Sequence, residues 1–143
     1  MSNYKKQGFS LIELLVVMTI IGVLASLTVS SITTARTKAA DAMKISDIRN
    51  LQIILERYVS KEGVYPDSLE FGAPLVSPSG RTYDDKLPAQ PKGFLGNNCS
   101  SNAGYNYTTS DNKSKYTIGF CLNGRVSDCT PGNNKAVPNS ICD

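Results

Sequence analysis

Few residues in this chain have the type or spacing to do chemistry. It contains no histidine, which removes the commonest general base and the commonest metal ligand together. A Ser-His-Asp triad is thereby excluded. No Gly-rich loop leads into a lysine, as a phosphate cradle would require. Asp84 and Asp85 are adjacent in a proline-bounded stretch, whereas a glycosidase needs two carboxylates facing each other across a cleft. They read as solvated loop residues. Two sets remain. Cys99, Cys121, Cys129 and Cys142 all lie beyond residue 98, in a polar, loop-rich region. An even number of cysteines there predicts two disulfides in an oxidising compartment, and the wide, irregular gaps do not fit a zinc site. The other is Glu13, a carboxylate inside an apolar run, where an ionisable group is costly and usually marks a function or a partner.

The elements that position these residues can be read along the chain. A length of 143 residues suits one compact domain, or a long helix carrying a smaller one. Met1 to Gly8 is polar and basic, while Phe9 to Val29 is apolar apart from Glu13 and a few Ser and Thr. As a helix that run is roughly 31 Å long, enough to cross a hydrocarbon core. Lys5 and Lys6 predict a cytoplasmic N-terminus and an exported remainder, in agreement with the cysteines. The formal net charge of +3 is too small to argue for nucleic acid, and no specific nucleic-acid partner is expected.

From Ser31 to Lys61 the pattern becomes amphipathic. Ile48, Leu51, Leu55, Tyr58 and Val59 fall on one side, with Arg49, Asn50, Glu56 and Arg57 on the other. Met43 and Ile45 read as core residues with them. One helix over about 9–61 is predicted, stopped by Gly63. Leu69 to Asn98 is rich in Pro and Gly and reads as a loop with a short helical turn near Leu69. Ala103–Thr109 and Lys115–Leu122 alternate as strands around a turn at 110–114, and a third strand is expected in Gly124–Val126 or Ala136–Val137. Such a hairpin puts Cys121 opposite roughly Ala103. That favours the pairing Cys99–Cys121 and Cys129–Cys142, although four cysteines allow three pairings.

The string Gly8-Phe9-Ser10-Leu11-Ile12-Glu13-Leu14-Leu15-Val16-Val17 closely resembles the processing site of type IV pilins and type II secretion pseudopilins. Tyr65-Pro66 after the long helix is similar to the same family. The resemblance implies leader cleavage between Gly8 and Phe9 by a prepilin peptidase, and N-methylation of Phe9. It also implies that Glu13 attracts the amine of a neighbouring subunit during assembly. Gly22 corresponds to a place where the family's helix melts on polymerisation, but the proline that many major pilins carry beyond it is absent, with Ser30 near that point.

The expected fold is α+β and pilin-like: one long N-terminal helix with a small antiparallel sheet packed on its C-terminal half. The parts are a cleaved leader (1–8), a transmembrane and filament-core helix half (9–29), an amphipathic half (30–62) and a disulfide-bonded head (63–143). The function implied is a structural subunit of a type IV pilus or pilus-like filament, not an enzyme. Alternatives are a pseudopilin of a secretion or competence system, or a signal-anchored extracytoplasmic binding domain. Implied partners are other copies of the chain, the peptidase, an assembly ATPase, a membrane platform and the inner membrane before assembly. The expected location is a single-pass cytoplasmic-membrane protein with its head exported, then an extracellular filament. No cofactor is expected, although calcium binding in major pseudopilins directs attention to Asp111, Asn112 and Asp128. Asn106-Tyr107-Thr108 reads as an N-glycosylation sequon in a predicted strand.

Overall fold

No glycine or proline interrupts the chain from Val23 to Glu62, and a single helix, α1, runs Leu11–Glu62. The structure is a computed structural model that describes residues 8–89, 99, 104–110 and 112–142, with 27–31 described as backbone only. The helix starts two residues later than its apolar pattern, because Ser10 takes the capping position. It ends at Gly63, whose φ of 81° is open to glycine at no steric cost and whose N–H donates to Val59 O at 2.9 Å. The chain divides into two compact units, Met1–Arg36 and Thr37–Asp143.

In the second unit, two antiparallel sheets accompany its part of α1. β1 (Leu75–Val76) pairs with β2 (Thr82–Asp84), a hairpin not anticipated from the Pro- and Gly-rich sequence there. Its turn is closed by Ser77 N–H donating to Arg81 O at 2.9 Å. Asp84 therefore belongs to a strand rather than a loop, and Asp85 follows it. β3 (Asn106–Thr109), β4 (Tyr116–Leu122), β5 (Gly132–Val137) and β6 (Ser140–Ile141) form a four-stranded meander in that order. Register partners are Asn106↔Gly119, Ile118↔Ala136 and Ala136↔Ile141. The expected hairpin and its turn are present. The third strand covers Ala136–Val137 but extends back to Gly132, while Gly124–Val126 contributes only an isolated Val126↔Cys129 bridge.

The core is made by one face of α1 against the sheets. Ile48, Leu51 and Leu55 are fully buried, together with Ile118, Leu122 and Ala136. Tyr58 and Tyr65 join the same cluster, packed on Tyr83 and Tyr116 respectively. Ile45, three residues before Ile48, is in this cluster. Met43, five residues before Ile48, points to the other side of the helix and is 59% exposed. Its expected core role is thus corrected. Cys99–Cys121 and Cys129–Cys142 are the disulfides, with Cα separations of 5.8 and 5.1 Å. The first fastens the chain preceding β3 to the end of β4, and the second fastens Cys142 to the β4–β5 connection.

Polar contacts complete the attachment of head to helix. Tyr105, Tyr65 and Tyr83 donate their hydroxyls to Asp47, Glu56 and Glu62 at 2.9, 2.9 and 2.6 Å. Gln52 donates to the carbonyls of Val137 and Ser140 at 2.8 and 3.0 Å. Asp41 and Lys44, both 1% exposed, form an ion pair at 3.4 Å. Lys44 Nζ also donates to Cys121 O at 2.9 Å. Asp41 Oδ2 accepts the N–H groups of Asn123 and Gly124 at 2.9 and 2.8 Å.

Two outcomes follow from this packing. Leu51→Ala should lower unfolding free energy by about 2–5 kcal/mol, against about 0.5 kcal/mol or less for Ile53→Ala on the exposed face, as measured by denaturant titration. The tyrosines set a second. Burial, then hydrogen bonding to Glu56, pushes the Tyr65 phenol up to about 12, and burial likewise raises Tyr105, Tyr107 and Tyr116. A phenol raised in the folded state contributes stability that is present below its unfolded value of about 10 and lost above it. Unfolding free energy should therefore fall as pH rises from about 10 toward 12, with tyrosinate absorbance appearing together with loss of structure. Tyrosinate forming near pH 10 in a chain still folded would contradict this.

Candidate assembly site at the helix N-terminus

The first turn of a helix leaves N–H groups without intrahelical partners. Ser10-Leu11-Ile12-Glu13 has the S-x-x-E spacing of a capping box, a local signal additional to the processing motif. In the structure the Ser10 N–H donates to Glu13 Oε2 at 2.9 Å, and Leu14 N–H donates to Ser10 O at 3.3 Å. Glu13 thus occupies the first turn, where the helix dipole favours a negative charge, and its carboxylate is exposed to an incoming cation. Phe9 is 85% exposed, and Gly8 has nothing within 4 Å of where a Cβ would stand. The sequence places Gly8, Phe9 and Glu13 within six consecutive residues at this end, while residues 1–7 of the expected leader lie outside the described residues.

Beyond Glu13 the helix is apolar on all sides. The large apolar side chains from Leu11 to Leu24 are 48–82% exposed. The few hydroxyls bond inward: Thr19 donates to Val16 O at 2.7 Å and Ser26 to Val23 O at 2.8 Å. Gly22 stands in open space. A helix that is hydrophobic all round belongs inside a larger assembly or a membrane, and an uninterrupted exposed apolar surface marks an interaction site. Among the described residues no helix is long and apolar enough to cross a membrane; the expected span of Phe9–Val29 runs past Ser26, the last residue before the backbone-only stretch.

The remaining candidates lie in the second unit. Asp111 is outside the described residues. Asn112 Oδ1 accepts from Ser110 and Ser114 within its own turn, at 3.0 and 2.7 Å, and Asp128 stands in the separate β4–β5 connection. Asn106, of the sequon, is exposed in β3. The buried Asp41–Lys44 pair was not anticipated. Its only trace in the sequence is a pair of opposite charges three residues apart on the face that also carries Ile45 and Ile48.

A family model described as a prokaryotic N-terminal methylation motif matches residues 3–29. The chain is similar to proteins described as type II secretion system core protein G. It is 37% identical over 103 residues to that of Pectobacterium carotovorum subsp. carotovorum, covering 64% of this chain and 65% of that protein. It is 32% identical over 103 residues to that of Aeromonas hydrophila, covering 65% and 72%. It is 35% identical over 99 residues to that of Escherichia coli strain K12, covering 62% and 68%. No solved structure gives a significant match. With the methylation motif placed on the capped, exposed apolar start of α1 and relatives matched across some two thirds of their length, the chain belongs to the type IV pilin and pseudopilin family of structural subunits.

Proposed function

We propose that this chain is a structural subunit of a pilus-like filament of the pseudopilin kind and does not catalyse a reaction. The observation that carries this reading is the apolar surface of Leu11–Leu24, exposed on all sides of a single chain and headed by a carboxylate. Burial of that surface against other copies removes it from water. Cleavage between Gly8 and Phe9 would place a new amine within about one helical turn of Glu13, and N-methylation there keeps its positive charge. Glu13 then pairs with the amine of a neighbouring copy, which offsets the cost of holding both charges in a low-dielectric bundle. The partners are other copies of the chain, a prepilin peptidase, and an assembly ATPase acting through a membrane platform. The subunit waits in the cytoplasmic membrane with its head exported, then enters the filament. Relatives named for type II secretion favour that machinery over a surface pilus.

Glu13→Gln separates the two roles of the carboxylate. Glutamine at that position still caps Ser10 but carries no charge for the neighbour's amine. In the native host, Glu13→Gln should leave the processed subunit at normal abundance in the membrane. It should reduce sheared filaments seen by electron microscopy by about tenfold or more. Filaments at the unaltered level would rule out charge pairing through Glu13.

A further inference from the structure

The family's calcium binding can be compared with the oxygens this head presents. A calcium ion takes roughly 6–8 oxygens converging on one point. Among the described residues no group of three or more His, Cys, Asp or Glu is placed to hold a metal ion. In and beside the β4–β5 connection, four carbonyl oxygens already have donors. Val126 O and Cys129 O accept each other's N–H groups at 3.0 and 3.2 Å, and Thr130 O and Gly132 O both accept the Asn134 amide at 2.9 Å. Arg125 and Asp128 place one charge of each sign in the same connection, so it offers a single carboxylate. Among the described residues the donor set does not fit a hard divalent ion.

A cation is nevertheless present beside this connection, supplied by the helix. Lys44 Nζ sits between Asp41 Oδ1 and Cys121 O, at 3.4 and 2.9 Å. The other oxygen of Asp41 takes the backbone N–H groups of Asn123 and Gly124. The ammonium therefore joins a carboxylate on α1 to the end of β4, and the carboxylate joins α1 to the start of the β4–β5 connection. Cys129–Cys142 closes the far end of that region.

We propose that the Lys44 ammonium serves as the bridging cation of this head, so that the head folds and holds its C-terminal sheet without a divalent metal ion. This is independent of the filament reading, because it concerns the stability of the head alone.

Thermal unfolding of the full-length chain in detergent, disulfides intact, tests it in millimolar calcium chloride and again after chelation with EGTA. The two Tm values should agree within about 1 °C, since a ligand that does not bind the folded state cannot shift it. A calcium-dependent rise of several degrees overturns the proposal, as does stoichiometric retention of calcium in equilibrium dialysis. Lys44→Met keeps most of the stem and removes the charge, leaving the buried Asp41 carboxylate its backbone donors but no counter-ion. Its Tm should fall by about 10 °C or more; an unaltered Tm overturns the bridging role. Should Lys44→Met fail to fold, the calcium and chelator comparison on the unaltered chain still decides.

Discussion

A helix with apolar side chains on every side cannot be covered by one sheet or one partner helix, because any single neighbour leaves the remaining faces in water. Leu11 to Leu24 is such a helix. The side chains stay about half exposed or more, and their hydroxyl-bearing neighbours bond back onto the helix. Removing this surface from water takes lipid or several other helices. Glu13 makes sense against that requirement, since the first turn is where a helix tolerates a negative charge most readily and where a neighbour's amine would find it.

The head answers a different problem, namely how a small sheet stays attached to one helix. Apolar contact does most of it, through Ile48, Leu51 and Leu55 in one cluster with Ile118, Leu122 and Ala136, and through Tyr58 on Tyr83 of β2. Carboxylates and an amide spaced along the helix then receive or reach the sheet: Asp41 at the β4–β5 connection, Asp47 at Tyr105, Gln52 at the β5–β6 turn, Glu56 and Glu62 at Tyr65 and Tyr83. Two disulfides tie Cys99 to β4 and Cys142 to the β4–β5 connection, and bridges of this kind contribute about 2–4 kcal/mol each. The long axis of contact is therefore pinned at several heights rather than at one.

Much of this was legible in the sequence, for physical reasons that also explain what was not. The helix showed through its uninterrupted composition and three- and four-residue apolar spacing. The β3–β4 hairpin showed through alternation about a polar turn, and its register carried the disulfide pairing with it. The β1–β2 hairpin was hidden because its strands are only two and three residues long, too short for alternation to register. β5 was seen only at Ala136–Val137 because Gly132-Asn133-Asn134 has turn composition; Asn134 nevertheless pairs with Phe120 in the ladder, its side-chain amide donating to Thr130 O and Gly132 O. Met43 was misplaced by reading proximity to Ile45 as a shared face. The Asp41–Lys44 clamp was silent because its partners are backbone groups some eighty residues away, which no local pattern encodes. At the helix start, Gly8, Phe9 and Glu13 were legible as a motif, while the cap made by Ser10 and Glu13 needed the geometry.

The account rests on the apolar start of α1 being the mature end of an assembling subunit. Intact mass and N-terminal sequencing of the protein from its native host test this most directly. The account predicts a chain that has lost Met1 to Gly8, begins at N-methylated Phe9 and carries both disulfides. A chain still beginning at Met1, or one cut behind the apolar run, would contradict it.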